Sequence, residues 1–180
     1  MTQRRLIAPA SVAGLLLCAS GALAFTEYPI GLPLVRHGME ITAVYFQPVT
    51  MDPPMSKEKE EKADIHLEAD IRGSSQNPNG FGEGEWIPYL TVTYKLTNLD
   101  NGKTVEGTMM PMVAADGPHY GDNVQMPGIG RYKVEYTIEN PQKNHFGRHT
   151  DKATGVRPWF PTFTLDWEFK FLGLGKGRGF

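Results

Sequence analysis

The chain has 180 residues, carries 18 Lys and Arg against 20 Asp and Glu, and has a formal net charge of −2 with a single cysteine. That length is enough to bury a core. The charge excludes the basic footprint of a nucleic-acid binder, and one cysteine excludes both a disulfide framework and a thiolate zinc site.

Residues 1–24 read as an export signal rather than as part of the fold. Arg4 and Arg5 give a positive start, an apolar run covers residues 11–23, and Ala22-Leu23-Ala24 has the small-x-small form of a cleavage site. This is the pattern of a secretory signal peptide, and its apolar run is too short for a stable membrane span. Lipidation at Cys18 is disfavoured, because Leu17 stands where a small residue is expected. Cleavage leaves residues 25–180, without cysteine and more acidic once both arginines are gone. The expected address is the periplasm of a Gram-negative cell, for a protein that does not itself span the membrane.

Residues 27–38, with Pro29, Gly31, Pro33 and Gly38, predict an irregular lead-in. Residues 39–49 are β-rich and predict the first full strand. Pro53-Pro54 interrupt a loop over 50–62, whose charged end from Lys57 to Lys62 supports one helical turn at most. Residues 63–71 alternate strictly: Ile65, Leu67, Ala69 and Ile71 on one side of a strand, Asp64, His66, Glu68 and Asp70 on the other. A glycine-rich loop follows over 73–85. A long strand over 86–98 sets Leu90, Val92, Tyr94 and Leu96 against Thr91, Thr93, Lys95 and Thr97. Asn101-Gly102 predicts a tight hairpin with positive φ at both turn positions, returning through a single strand over 103–113.

Residues 114–130 predict a loop. Residues 131–139 predict a strand with Tyr132, Val134, Tyr136 and Ile138 inward, and residues 140–158 a long polar loop. Residues 163–171 predict a last strand with Phe163, Leu165, Trp167, Phe169 and Phe171 on one face, before a glycine-rich tail from Gly173. No segment holds ten residues of helical period. The whole predicts an all-β fold, an immunoglobulin-like antiparallel β-sandwich in a single domain over residues 25–180.

The acidic side of residues 63–71 has the clearest chemistry. Successive positions on it stand about 7 Å apart, and its three carboxylates, Asp64, Glu68 and Asp70, repel one another. A cation makes such a row sensible, and His66 and Glu68 can aim at one ion; an acidic polar edge is the plain alternative. Of the five histidines only His66 falls in a predicted strand. His119 is expected in a turn just after a strand, and His145 and His149 in the loop before the last one. Such positions can converge at one end of a sandwich. Met109, Met110 and Met112 pack three thioethers into four positions, with Pro111 marking an edge or strand end. They serve either as adaptable core or as soft ligands. Sulfur with imidazole selects copper, while nearby carboxylates suit iron or manganese. The glycine-rich residues 80–85 lack the strand–helix context and lysine of a phosphate loop, and no nucleophile motif is present.

Taken together, Glu27-Tyr28-Pro29-Ile30-Gly31, the strand from Lys62 to Asp70, Gly84-Glu85-Trp86-Ile87-Pro88-Tyr89-Leu90, Met110-Pro111-Met112-Val113-Ala114, Asp116-Gly117-Pro118-His119-Tyr120-Gly121 and Arg148-His149-Thr150-Asp151 resemble one family. It is that of the periplasmic ferrous-iron transport proteins, copper-binding partners of high-affinity iron permeases, with a transferrin-binding treponemal lipoprotein as a more distant relative. The resemblance implies a homodimer of immunoglobulin-like sandwiches with a Cu(II) site near the dimer interface. It implies His66, Met112, His119 and His149 as ligands, Glu68 as a further or alternative ligand, and Asp116 beside an adjacent position for iron as cargo. It also implies an inner-membrane iron permease as partner. Arg72 stands where the family often has another histidine, which puts an auxiliary site there in doubt. Two other functions are compatible with the same residues: a copper-dependent iron oxidoreductase, and an immunoglobulin-like module that binds a host iron carrier.

Overall fold

A computed structural model of the chain describes residues 26–174. The predicted signal peptide and the end of the tail lie outside the described residues. The strands are β1 (Tyr28–Pro29), β2 (Leu34–Arg36), β3 (Met39–Phe46), β4 (Ile65–Gly73), β5 (Thr91–Asn98), β6 (Thr104–Thr108), β7 (Met110–Ala114), β8 (Gly117–Val124), β9 (Gly130–Glu139) and β10 (Phe163–Phe171). One short helix, α1 (Lys57–Lys62), precedes β4, and a 3-10 turn covers Pro141–Asn144. Among the described residues no helix is long and apolar enough to cross a membrane.

The expected antiparallel β-sandwich is what the chain forms. One sheet runs β1-β3-β4-β8-β7, with β2 also paired to β3, and the other runs β10-β9-β5-β6. The alternation read from the sequence sets the inner faces. Ile65, Leu67, Ala69 and Ile71 of β4 are fully buried, as are Tyr132, Val134, Tyr136 and Ile138 of β9. They meet Ile41, Val92, Leu96 and Trp167 in one apolar core. Removing most of one such side chain, as in Leu67→Ala, costs about 2–5 kcal/mol.

Four expectations are corrected, and the first two shape the functional site. The predicted return strand over 103–113 is two strands in different sheets. β6 stays beside β5, and Met109, whose amide donates to the Val92 carbonyl (2.9 Å), is the crossing point. From there β7 joins the other sheet at its edge, where Pro111 has no ladder bond to donate. The predicted loop over 114–130 contains a full strand, β8, so His119 lies within a strand rather than in a turn. Gly117, Pro118, Gly121, Asp122 and Asn123 are poor strand formers, and tertiary pairing to β4 and β7 overrides that. Third, only Gly102 of the Asn101-Gly102 pair has positive φ, and the connection closes through Asn98 N to the Lys103 carbonyl (2.9 Å) as a longer turn.

The strand predicted over 86–98 begins at Thr91. Trp86 makes only an isolated bridge to Arg72, and Tyr89, at φ 62°, bends the chain between them.

Candidate metal centre

The site lies on the outer face of the larger sheet. Register places its residues in rows: His66 opposite Asn123 and Glu68 opposite Gly121 between β4 and β8, then Met112 opposite His119 between β8 and β7. Side chains directly opposite one another share a face. Outer faces are ordinarily solvated, yet His66 is 0 % exposed and Glu68 and His119 are 3 % exposed. The Phe46 ring tilts over His66 at 5.3 Å, and Val49 is bonded to Asn123, so residues following β3 close over this end.

The ligand-type atoms converge. Glu68 Oε1 lies 2.9 Å from His119 Nε2 and 3.4 Å from His66 Nε2. One ligand atom from each of the three residues falls within 4.8 Å of the others. Gly121 supplies the space between them. A Cβ at that position would stand 2.5 Å from His66 Nε2 and 3.3 Å from Met112 Sδ. Met112, 9 % exposed, therefore brings its sulfur to the gap from the opposite strand.

The tautomer of His66 follows from its neighbours. Asn123 Nδ2 donates to the Val49 carbonyl (2.7 Å), so its Oδ1 is the atom facing His66 Nδ1 at 2.9 Å. Oδ1 only accepts, so Nδ1 carries a proton and donates. In the neutral ring Nε2 then holds a lone pair. It is buried without a hydrogen-bond partner among the described residues, and it faces a carboxylate oxygen. Two acceptors aimed at one another are reconciled by a cation.

The electrostatics point the same way. Burial works against the charge on Glu68, but the hydrogen bond from His119 and the two nearby imidazoles hold its pKa below the usual carboxylate range. Burial likewise works against a charged His119, yet the bond and charge of Glu68, with help from Asp70, raise it above an ordinary imidazole. A cation is thus favoured in this pocket whether it is a proton or a metal ion.

Of the residues predicted for the site, His66, Glu68, Met112 and His119 are brought together. His149 is not. It is exposed in the loop between β9 and β10, with Nδ1 2.7 Å from Thr154 Oγ1, which in turn donates to Asp151 (2.6 Å). Asp116 is exposed in the β7–β8 turn and lines an open cavity of about 260 Å³ with Glu27, Glu40, Thr42, Asp70 and Arg72. Burial and the charges of Glu68, Asp116 and Asp70 raise the Glu27 carboxyl. Asp70, next along the face from Glu68, connects cavity and centre. Arg72 Nη2 sits 3.1 Å from Asp70, a cation where an auxiliary ligand was in doubt. Asp64, the first acid of the row, accepts from the Met126 amide (2.8 Å) and serves the loop.

Two contributors escaped the sequence reading. Gly121 and Asn123 follow His119 at two-residue steps, and that spacing was the available signal once β8 is seen to be a strand.

Comparison with known proteins identifies the family. A family model described as Fe2+ transport protein matches residues 24–173, and the chain belongs to that family. A UPF0423 protein of Brucella abortus is 52 % identical over 171 residues, 91 % of this chain and 94 % of its own. FetP of uropathogenic Escherichia coli strain F11 superposes with a TM-score of 0.81 at 54 % identity, over 84 % of this chain and 99 % of FetP. The copper-reconstituted P19 protein of Campylobacter jejuni superposes equally well, with a TM-score of 0.81 at 51 % identity, over 84 % of this chain and 99 % of its own.

Proposed function

We propose that this member of the Fe2+ transport family is a periplasmic copper- and iron-binding protein that serves iron uptake, exported by cleavage of residues 1–24 and folded as one metal-binding domain over residues 25–180. His66, Met112 and His119 would hold a copper ion, with Glu68 as the charged ligand. Two imidazoles and a thioether suit copper better than any hard cation. The observation that carries the reading is the buried, unpartnered lone pair of His66 Nε2 facing Glu68 across the space left by Gly121. Copper bound in the relative P19 supports it.

His149 completes the set from a second copy of the chain. It is exposed and steadied by the Asp151–Thr154 turn, and it lies outside the cluster of its own chain. Its loop carries Lys143, Arg148, Lys152 and Arg157, and the cavity beside the centre is lined by Glu27, Asp70 and Asp116. Opposite charge on the two surfaces favours a homodimer in which each loop meets the other's cavity. Bound copper would supply a redox-active charge beside that cavity. The protein's own carboxylates then draw ferrous iron in as cargo, for passage to an inner-membrane permease.

Copper(II) titration of wild type against His119→Ala tests the assignment. A loss of affinity of 100-fold or more is expected on deleting one imidazole, on the order of 3 kcal/mol. Equal affinity of the two proteins removes the site.

A further inference from the structure

Asn123 touches none of the proposed ligand positions directly except through one ring nitrogen, yet three of its side-chain bonds are satisfied and the residue is 2 % exposed. Its Nδ2 donates to the Val49 carbonyl at 2.7 Å. Its Oδ1 accepts from the Val49 amide at 3.2 Å and faces His66 Nδ1 at 2.9 Å. Exchanging the amide's oxygen and nitrogen would set Nδ2 against the Val49 amide and Oδ1 against the Val49 carbonyl, so the pairing with Val49 permits one orientation only.

That orientation has a chemical consequence. An acceptor fixed at Nδ1 makes Nδ1–H the neutral tautomer and leaves Nε2 free to ligate. Val49 belongs to residues 47–62, which lead from β3 into α1. The next residue on β8, Asp122, holds the far end of the same segment through Lys59. Two adjacent residues of one strand therefore pin a single strap at two points. Asn123, on the outer side, transmits one of those points to a ligand.

We infer that Asn123 is a positioning residue for the metal centre: it uses the strap backbone at Val49 as a fixed reference to hold His66 in its Nδ1–H tautomer, with Nε2 aimed at the gap above Gly121. The metal-binding half of this inference rests on the proposed copper site. The tautomer half concerns the metal-free protein alone. Sequence reasoning could not reach it, because the bond joins residues 57 positions apart on a strand that the local pattern hides.

Long-range proton–nitrogen NMR of labelled imidazoles in the metal-free protein reads the tautomer above neutral pH. Wild type should show His66 protonated at Nδ1. Protonation at Nε2 overturns the inference. Asn123→Leu removes the acceptor at nearly constant volume. It should lose the fixed tautomer and weaken copper(II) binding by about 10- to 100-fold, the usual effect of losing an outer-shell partner. Asn123→Asp keeps an acceptor at Nδ1 but gives up the bond to the Val49 carbonyl. It should keep the Nδ1–H form and recover most of the affinity, with a lower melting temperature. An unchanged tautomer in Asn123→Leu, or a switched one in Asn123→Asp, overturns the inference. If Asn123→Leu does not fold by circular dichroism, Asn123→Asp still decides. Should wild type bind no copper(II), the proposed function fails while the tautomer measurement stands on its own.

Discussion

Gly121 lies so close beneath His66 that a Cβ on it would reach within 2.5 Å of the Nε2 atom. The backbone of Gly121 is not in the left-handed region, so alanine is disfavoured there by space alone. Gly121→Ala should therefore displace the His66 ring or the Met112 sulfur. We expect copper(II) affinity to fall by about 10-fold or more from the misplaced ligand, and the metal-free fold to lose about 1–3 kcal/mol from overpacking. Titration and urea denaturation measure the two effects. An alanine variant that binds like wild type would show that the gap is not where the ion sits.

The pairing of Glu68 with His119 sets a pH dependence whose sign can be worked out. His119 is raised above 6.5 in the fold, so its charged form stabilises the metal-free protein fully below 6.5. That contribution is lost as pH rises through the raised value. Glu68 is lowered below 4.5, so its contribution is present above 4.5 and is lost as pH falls through the lowered value. The pair thus stabilises the metal-free protein most between about 4.5 and 6.5. Copper binding must displace the His119 proton, so the rise in melting temperature on adding copper(II) should shrink as pH falls through that raised value. A copper-induced shift constant from pH 8 to pH 5, both roughly one to two units either side of the imidazole reference, would contradict ligation by His119.

His149 offers a test of assembly. His149→Ala should leave the metal-free stability unchanged, since the side chain is exposed, but should lower copper affinity. Mixed with His119→Ala, it should regain one complete site per heterodimer, because an intact cluster in one chain meets an intact His149 from the other. Copper titration of the mixture, after unfolding and refolding the two variants together, reads this directly. No recovery would mean that the ligand does not come from a second copy.

The half of this architecture that follows from periodicity was legible. β4, β9 and β10 alternate cleanly, because one face of each is pure core, and the acidic face of β4 gave His66 and Glu68 at once. β8 was hidden because its outer face is small and polar: Gly121 leaves a gap beside His66 and Met112 and Asn123 meets the His66 ring, and both residues weaken the strand signal. The sheet change at Met109 was hidden for another reason. β6 and β7 read locally as one strand, and only pairing with β8 moves Met112 beside His119. The positions that stayed hidden, Met112, Gly121 and Asn123, are those where local preference and tertiary demand disagree.

One of the two points that pin the strap is an ion pair. Lys59 Nζ donates to Asp122 Oδ2, which also accepts from the Tyr94 hydroxyl at 3.0 Å. The Asp122 side chain is 1 % exposed while that of Lys59 is 42 % exposed. Stranding a buried carboxylate costs about 3–5 kcal/mol when its partner is removed. Solvent at the Lys59 end reduces this, and the Tyr94 bond remains, so Lys59→Met should destabilise by about 1–3 kcal/mol. Lys62→Met is the matched control. Among the described residues Lys62 pairs with Glu58 on the same exposed helix face, at 2.9 Å, and its loss should not be measurable in urea denaturation. Hydrogen exchange at residues 57–62 should rise sharply in Lys59→Met and little in the control. Equal behaviour of the two variants would mean that α1 is held to the sandwich by something other than Asp122.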